Sequence, residues 1–331
     1  MRTGKKAAVA LTAILILLSL TACDNAAAGE YFDVFGTTLY IESTERGYAA
    51  ATAEDMREAE MLLSASVEGS DIYRINAAAA GESVTVDALT MTLLVKAREI
   101  YLLTDGAYDP SVYPLVELWG FAPGEFVVGT PPERLPSEEE IAAAKELVGF
   151  DEAFALDEDA LTVTKLKDGA KLDLGGIAKG YAVETALTAA TGETLVNLGG
   201  NIGGVGRDFT IGIGAPRPYS VSYVGTVTLR SGECISTSGD YERYYEVDGV
   251  RYHHIIDPFT GAPADSGLAS VTVICSDGAL GDALATAIMV AGAERGKEWI
   301  AELSASFPEI AAVFVTPDLS TEAVGRAFTA V

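Results

Sequence analysis

Apolar and polar positions follow two rhythms along this chain. In the first half the rhythm is mainly helical. Met56, Ala59, Leu62 and Leu63 recur at three- and four-residue steps, which predicts a helix over 53–66. Residues 87–104, "DALTMTLLVKAREIYLLT", predict a second helix, with Asp87 as N-cap and Gly106 past its end. A third opens at Ser137, where Glu140 completes a capping box. Residues 122–136 before it read as a surface insertion, and 106–121 as a loop rich in aromatics and prolines. The stretch "YFDVFGTTLYIE" (31–42) predicts a strand with a glycine break.

The second half alternates strands with helices. Residues 160–175 predict a strand pair ahead of a glycine turn, and 176–190 a helix closed by Gly192. "TLVNLGG" and "FTIGIGAP" read as strands, 268–275 as a buried strand, 278–292 as a helix, and a last helix and strand close the chain. Residues 241–256 predict a hairpin around Asp248-Gly249. This mixture means an α+β (mixed α/β) architecture in one compact domain.

The N-terminus belongs to a different category. Arg2, Lys5 and Lys6 precede an unbroken apolar run over 7–20, a secretory signal too short for a membrane span. The run ends in "LTAC", which resembles a bacterial lipoprotein signal. Residues 1–22 would be the signal peptide, Cys23 the lipidated first residue, 23–30 a tether, and 31–331 the working domain at the outer side of the cell membrane. Loss of the three signal cations takes the net charge from -26 to about -29. Such a surface repels nucleic acid and anionic lipid headgroups. It also repels an anionic substrate, so any phosphate site needs its own positive potential from a metal ion or helix N-termini. Cys234 and Cys275 are compatible with one disulfide in an oxidising compartment, but they do not make a framework, and no Cys/His cluster suggests zinc.

Four segments carry candidate chemistry. Both histidines of the chain are adjacent, in "HHIIDPFTG" (253–261). Counting back from the 248–249 turn pairs Arg243 with His254 and Tyr244 with His253, so the two rings point to opposite faces. One can be reactive while the other packs. Asp257 lies just beyond, and a histidine with a carboxylate is usable acid-base chemistry. In "DLGGIAKG" (173–180), glycines allow a tight turn into a helix N-terminus, with Lys179 in the first turn. Asp282 and Thr286 are i and i+4 on one helix face, hard oxygen ligands suited to Mg²⁺. "CISTSGDYERY" (234–244) is either a ligand-contacting cluster or a plain loop, and "NLGGNIGG" (197–204) is equally open.

In this order, "DLGGIAKGYAVE", "NLGGNI", "STSGDYER", "RYHHIIDPFTG" and "GDALATA" resemble the ApbE family, the FAD:protein FMN transferases. "GAYDPSVYPLVELWGF", "FGTT" and "SDIYRIN" (70–76) fit the same family, and the resemblance runs over roughly 31–325. It implies a T-fold-like domain with mostly antiparallel sheets and flanking helices. It also implies Mg²⁺-dependent transfer of FMN from FAD, through a phosphoester, to a threonine of an acceptor protein, with release of AMP. On this resemblance His254 is the catalytic residue and Asp257 assists. Asp282, Thr286 and the Ala178 carbonyl hold Mg²⁺. Gly175, Gly176, Lys179, Glu184, Thr237, Ser238, Gly239, His254 and Ile255 line the FAD site. The sequence departs from the family pattern at Ser66, where an aromatic that packs on the flavin is expected, and at Glu184, where aspartate is frequent. Three functions stay open: an FMN transferase, an FAD pyrophosphatase, and a flavin-binding lipoprotein without chemistry.

Overall fold

The computed structural model describes residues 27–122, 126–217, 221–326 and 328–331. The chain enters as a hairpin, β1 (Ala28–Val34) against β2 (Thr37–Ser43), rather than one interrupted strand. Phe35 and Gly36 both take positive φ, the geometry of a two-residue hairpin turn. β1 starts at Ala28, inside the 23–30 segment expected as a tether. Cys23 and the signal segment lie outside the described residues.

Helix α1 (Tyr48–Leu63) starts five residues earlier than the apolar period suggested, and "SDIYRIN" folds as α2 (Asp71–Ala77), capped by Ser70. A short β3 (Ser83–Thr85) leads to α3 (Ala88–Leu103), whose Asp87 cap is present. The 106–121 segment holds a short helix, α4 (Tyr113–Leu118). The predicted capping box opens α5 (Glu138–Lys145), and α6 (Phe150–Ala153) follows. The expected strand pair over 160–175 is absent. Only β5 (Thr162–Lys165) forms there, between β3 and β4 (Phe154–Asp157). The apolar side chains of 170–174 instead go into the core as irregular chain beside 110–112.

Then come α7 (Ala178–Ala189), β6 (Thr194–Leu198), β7 (Asn201–Val205), β8 (Phe209–Gly214), β9 (Tyr223–Leu229) and β10 (Glu233–Gly239). The hairpin strands β11 (Tyr244–Val247) and β12 (Val250–His253) follow, then β13 (Ser270–Cys275), α8 (Gly278–Ala291), α9 (Ala293–Leu303), β14 (Ala311–Val315), β15 (Thr321–Val324) and β16 (Thr329–Ala330). Every named strand pair is antiparallel, and one sheet dominates, ordered β1-β2-β6-β7-β10-β13-β14-β15. Alternation sorts its side chains into layers. Cys234 packs with the α7 residues, and Val271, Val273 and Cys275 with those of α8. Ile235 and Ile274 turn to the other face, against β8 and β9. Cys234 and Cys275 stand opposite each other in register as free, buried thiols. None of the helices among the described residues is long and apolar enough to cross a membrane.

Candidate active site

Helices α7 and α8 cross at their first turns, and glycine makes the crossing possible. A Cβ on Gly180 would sit 2.0 Å from the Gly278 carbonyl oxygen, and one on Gly278 would sit 2.4 Å from that of Gly180. At this distance each helix caps the other. The α7 N-cap, Ile177, has no capping side chain, and Asp282 of α8 supplies the acceptor, its Oδ2 taking the Gly180 N–H at 3.0 Å. In return Glu184 of α7 accepts the Gly278 N–H at 2.9 Å. Each carboxylate lies at the positive end of the opposite helix. Burial still raises the Glu184 pKa, and the field of Asp277 adds to it.

The glycine turn sits on this crossing. Asp173 Oδ1 accepts the Gly175 N–H at 3.0 Å, and Lys179 Nζ folds back onto the Gly175 carbonyl at 2.6 Å. Gly176 faces Thr286, since a Cβ there would be 3.4 Å from Thr286 Oγ1 and 3.4 Å from Tyr108 Cε2. Thr286 Oγ1 lies 3.1 Å from Ser238 Oγ and donates to the Asp282 carbonyl at 3.4 Å. Asp282 is 4% exposed, and its Oδ1 has no hydrogen-bond partner among the described residues. Ala178, buried, opens the helix that carries this turn.

The hairpin brings the histidines. Its register is Tyr244 to His253, and the His254 N–H bonds to the Arg243 carbonyl at 3.0 Å, so the rings divide between faces as counted. His253 is structural. Its Nε2 bonds to the Ala264 carbonyl at 2.9 Å, and its Nδ1 takes the Ile255 N–H at 3.3 Å. A carbonyl only accepts, so the proton is on Nε2 and the ring is neutral. His254 is half-buried, with its Nδ1 buried and unpartnered. Desolvation first, then the fields of Arg243, His253 and Lys179, push its pKa well below the usual imidazole range. It is therefore a neutral base at pH 7. Glu242, exposed to solvent, lies in the same field, with Lys179, Arg243 and Asp282 as its charged neighbours.

The remaining expected site residues are placed as follows. The Asp257 carboxylate closes its own turn, taking the Phe259 N–H at 2.7 Å and the Thr260 hydroxyl at 2.9 Å, and does not bond to His254. Ile255 is core. Thr237 turns to the opposite face of the sheet from Ser238 and bonds to its cross-strand neighbour Thr272 at 2.9 Å, because 234–239 is an inner strand and not a loop. Glu184 caps α8 as described. Gly239 packs under Tyr241, where a Cβ would come within 2.4 Å of the ring. Ser66 is exposed and bonds to Ser64. Tyr108, Asp173 and Glu242 lie inside the quoted segments, but nothing in the sequence singled them out from their neighbours.

Among the described residues six buried side-chain polar atoms lack a partner, on Asn201, Ser270, Trp299, Tyr108, Ser236 and His254; Tyr108 borders the Gly176 turn, and Ser236 Oγ faces Gly281, one residue before Asp282. Orphaned buried groups cost about 1–3 kcal/mol each unless a ligand satisfies them. Among the described residues no group of three or more His, Cys, Asp or Glu gathers to hold a metal. One carboxylate with a hydroxyl and backbone oxygens suits Mg²⁺ completed by substrate phosphate.

A family profile described as the ApbE family matches residues 35–314. A Rhodobacter capsulatus protein named FAD:protein FMN transferase is 35% identical over 99% of this chain, and the alignment spans 65% of that protein's length. A Klebsiella pneumoniae protein of the same name is 33% identical over 84% of this chain and 85% of its own. The crystal structure of a Thermotoga maritima ApbE protein superimposes with TM-score 0.79 at 34% identity, covering 89% of this chain and 96% of that one. The apo form of the Pseudomonas stutzeri flavinyl transferase ApbE gives 0.74 at 31% identity, over 91% of this chain and 95% of that one.

Proposed function

This chain belongs to the ApbE family, and from that premise we propose that it is an FAD:protein FMN transferase, which moves FMN from FAD to a threonine hydroxyl of an acceptor protein and releases AMP. The observation that carries this reading is the convergence of a neutral His254 with Asp282, Thr286 and Lys179 at the α7 N-terminus. Phosphoryl transfer needs charge neutralisation and an oriented nucleophile. In the proposed reaction the threonine oxygen bonds to the FMN phosphorus and the bond to the AMP oxygen breaks. The hydroxyl proton passes to a ring nitrogen of His254. Lys179 and the positive end of the α7 dipole offset charge on the pyrophosphate. Asp282, Thr286 and the Ala178 carbonyl would hold a Mg²⁺ ion, which supplies the positive charge that admits a pyrophosphate to so acidic a protein.

The exposed Ser66, where an aromatic would pack on the flavin, favours a second reading, hydrolysis of FAD to FMN and AMP with water as acceptor. The signal-like segment through Cys23 supports a lipid-anchored protein acting outside the cytoplasmic membrane. A Cys23→Ser variant would then leave the membrane fraction, and retention there would refute the anchor.

The test incubates the chain from residue 24 onward with FAD, Mg²⁺ and a candidate acceptor domain. Transfer predicts that the intact mass of the acceptor rises by one esterified FMN and that His254→Ala abolishes the gain with FAD binding kept. Free FMN and AMP without labelling select the hydrolase. Unchanged FAD refutes both.

A further inference from the structure

Tyr108 is 3% exposed, and its hydroxyl has no hydrogen-bond partner among the described residues. A phenylalanine would fill the same core without stranding a donor, so the hydroxyl calls for an explanation. Its surroundings supply one. Tyr108 Cε2, the ring atom next to the carbon that carries the hydroxyl, lies 3.4 Å from the point where a Gly176 Cβ would be, and Thr286 Oγ1 lies 3.4 Å from the same point. The glycine turn thus has the Tyr108 ring edge and the Thr286 hydroxyl on one side. The carboxylates acting most strongly on Tyr108 are Asp282, then Asp173 and Asp109. None of them accepts its proton. Asp173 Oδ1 takes the Gly175 N–H, Asp282 Oδ2 takes the Gly180 N–H, and Asp109 Oδ1 is bonded to the backbone and hydroxyl of Ser111. A donor held among acidic groups but bonded to none of them is available to a bound oxygen.

We propose that Tyr108 is a ligand-binding residue of this site, its hydroxyl donating a hydrogen bond to an oxygen carried by the divalent cation between Asp282, Thr286 and the glycine turn. That oxygen belongs either to a water of the cation or to the pyrophosphate of the nucleotide. The proposal rests on the functional reading above and adds a residue that no part of that reading uses.

Tyr108→Phe keeps the ring and removes only the donor. Calorimetric titration of the wild type and the variant with Mg²⁺ alone, and with ADP in the presence of Mg²⁺, separates the two sources. A hydrogen bond to a charged oxygen predicts a loss of affinity of about tenfold. Loss in both arms assigns the bond to a cation-bound water, and loss with ADP alone assigns it to phosphate. Thermal unfolding without ligand should be unchanged or slightly raised, since an unsatisfied buried group is gone. A loss of less than threefold in both arms overturns the proposal, whatever the melting temperature does, and shows a packing residue or one bonded to an ordinary buried water. A wild type that binds neither Mg²⁺ nor ADP refutes the functional reading of the site instead.

Discussion

The α7–α8 crossing can be tested by adding one methyl group. In Gly180→Ala the new Cβ would lie 2.0 Å from the Gly278 carbonyl oxygen and 2.7 Å from Asp282 Cβ, where ordinary contact begins near 3.4 Å. The first obstacle is backbone, so no side chain can swing aside, and the helices must part by about 1 Å or more. Overpacking of this kind costs about 1–3 kcal/mol. Parting also lengthens the 3.0 Å bond from Gly180 N–H to Asp282, a cap worth about 1 kcal/mol. Alanine returns about 1 kcal/mol of helix propensity. The net is about 2 kcal/mol, a fall in melting temperature of about 3 °C in a domain of about 300 residues. Scanning calorimetry reads it, with Gly214→Ala as control because a Cβ there meets open space. FMN transfer should fall further than stability does, since Asp282 moves with its helix. A Gly180→Ala protein with unchanged melting temperature and unchanged transfer would refute the crossing as the frame of the site.

Four further outcomes are expected. Asp282→Asn keeps an acceptor for the Gly180 N–H, so melting should hardly change while the Mg²⁺ concentration for half-maximal transfer rises by about tenfold; an unaltered titration rejects the ligand role. Burial lifts the Asp109 pKa to about 6 from 3.8, above its unfolded value, so its contribution to stability is full below about pH 4 and is lost as pH rises through 6. The urea-unfolding stability of wild type minus that of Asp109→Asn should therefore fall by up to about 3 kcal/mol between pH 4 and 8, and a flat difference would show that the carboxyl is not buried as described. His253→Ala removes two hydrogen bonds that hold 255 and 264, so stability should drop by about 1–3 kcal/mol and transfer should weaken without vanishing; abolished transfer in a fully stable variant would give His253 a direct part in the chemistry. Burial raises both thiol pKa values, that of Cys275 to about 12, so neither cysteine should label with a thiol reagent until the protein unfolds, and fast native labelling would contradict their packing.

Local signals in the sequence determined much of this protein. The Asp248-Gly249 turn needs positive φ at both residues, which set the hairpin register and thereby the division of the two histidines between faces. Asp87 and Ser137 marked helix starts because capping is a bond between near neighbours. The i, i+4 spacing put Asp282 and Thr286 on one face. What local signals left open was decided by how the chain packs. Residues 234–239 look like a loop because Ser, Thr and Gly lack an apolar alternation. They become an inner strand only because β7 and β13 satisfy their backbone, and that strand sends Thr237 away from Ser238. Glu184 and Asp257 are acids inside quoted motifs; in the fold one caps a helix that starts 94 residues later and the other closes its own turn. No spacing rule could foresee the Tyr108 hydroxyl, because what makes it notable is a missing partner. Burial removes water from a donor, and only the packed structure shows that no protein group has replaced it.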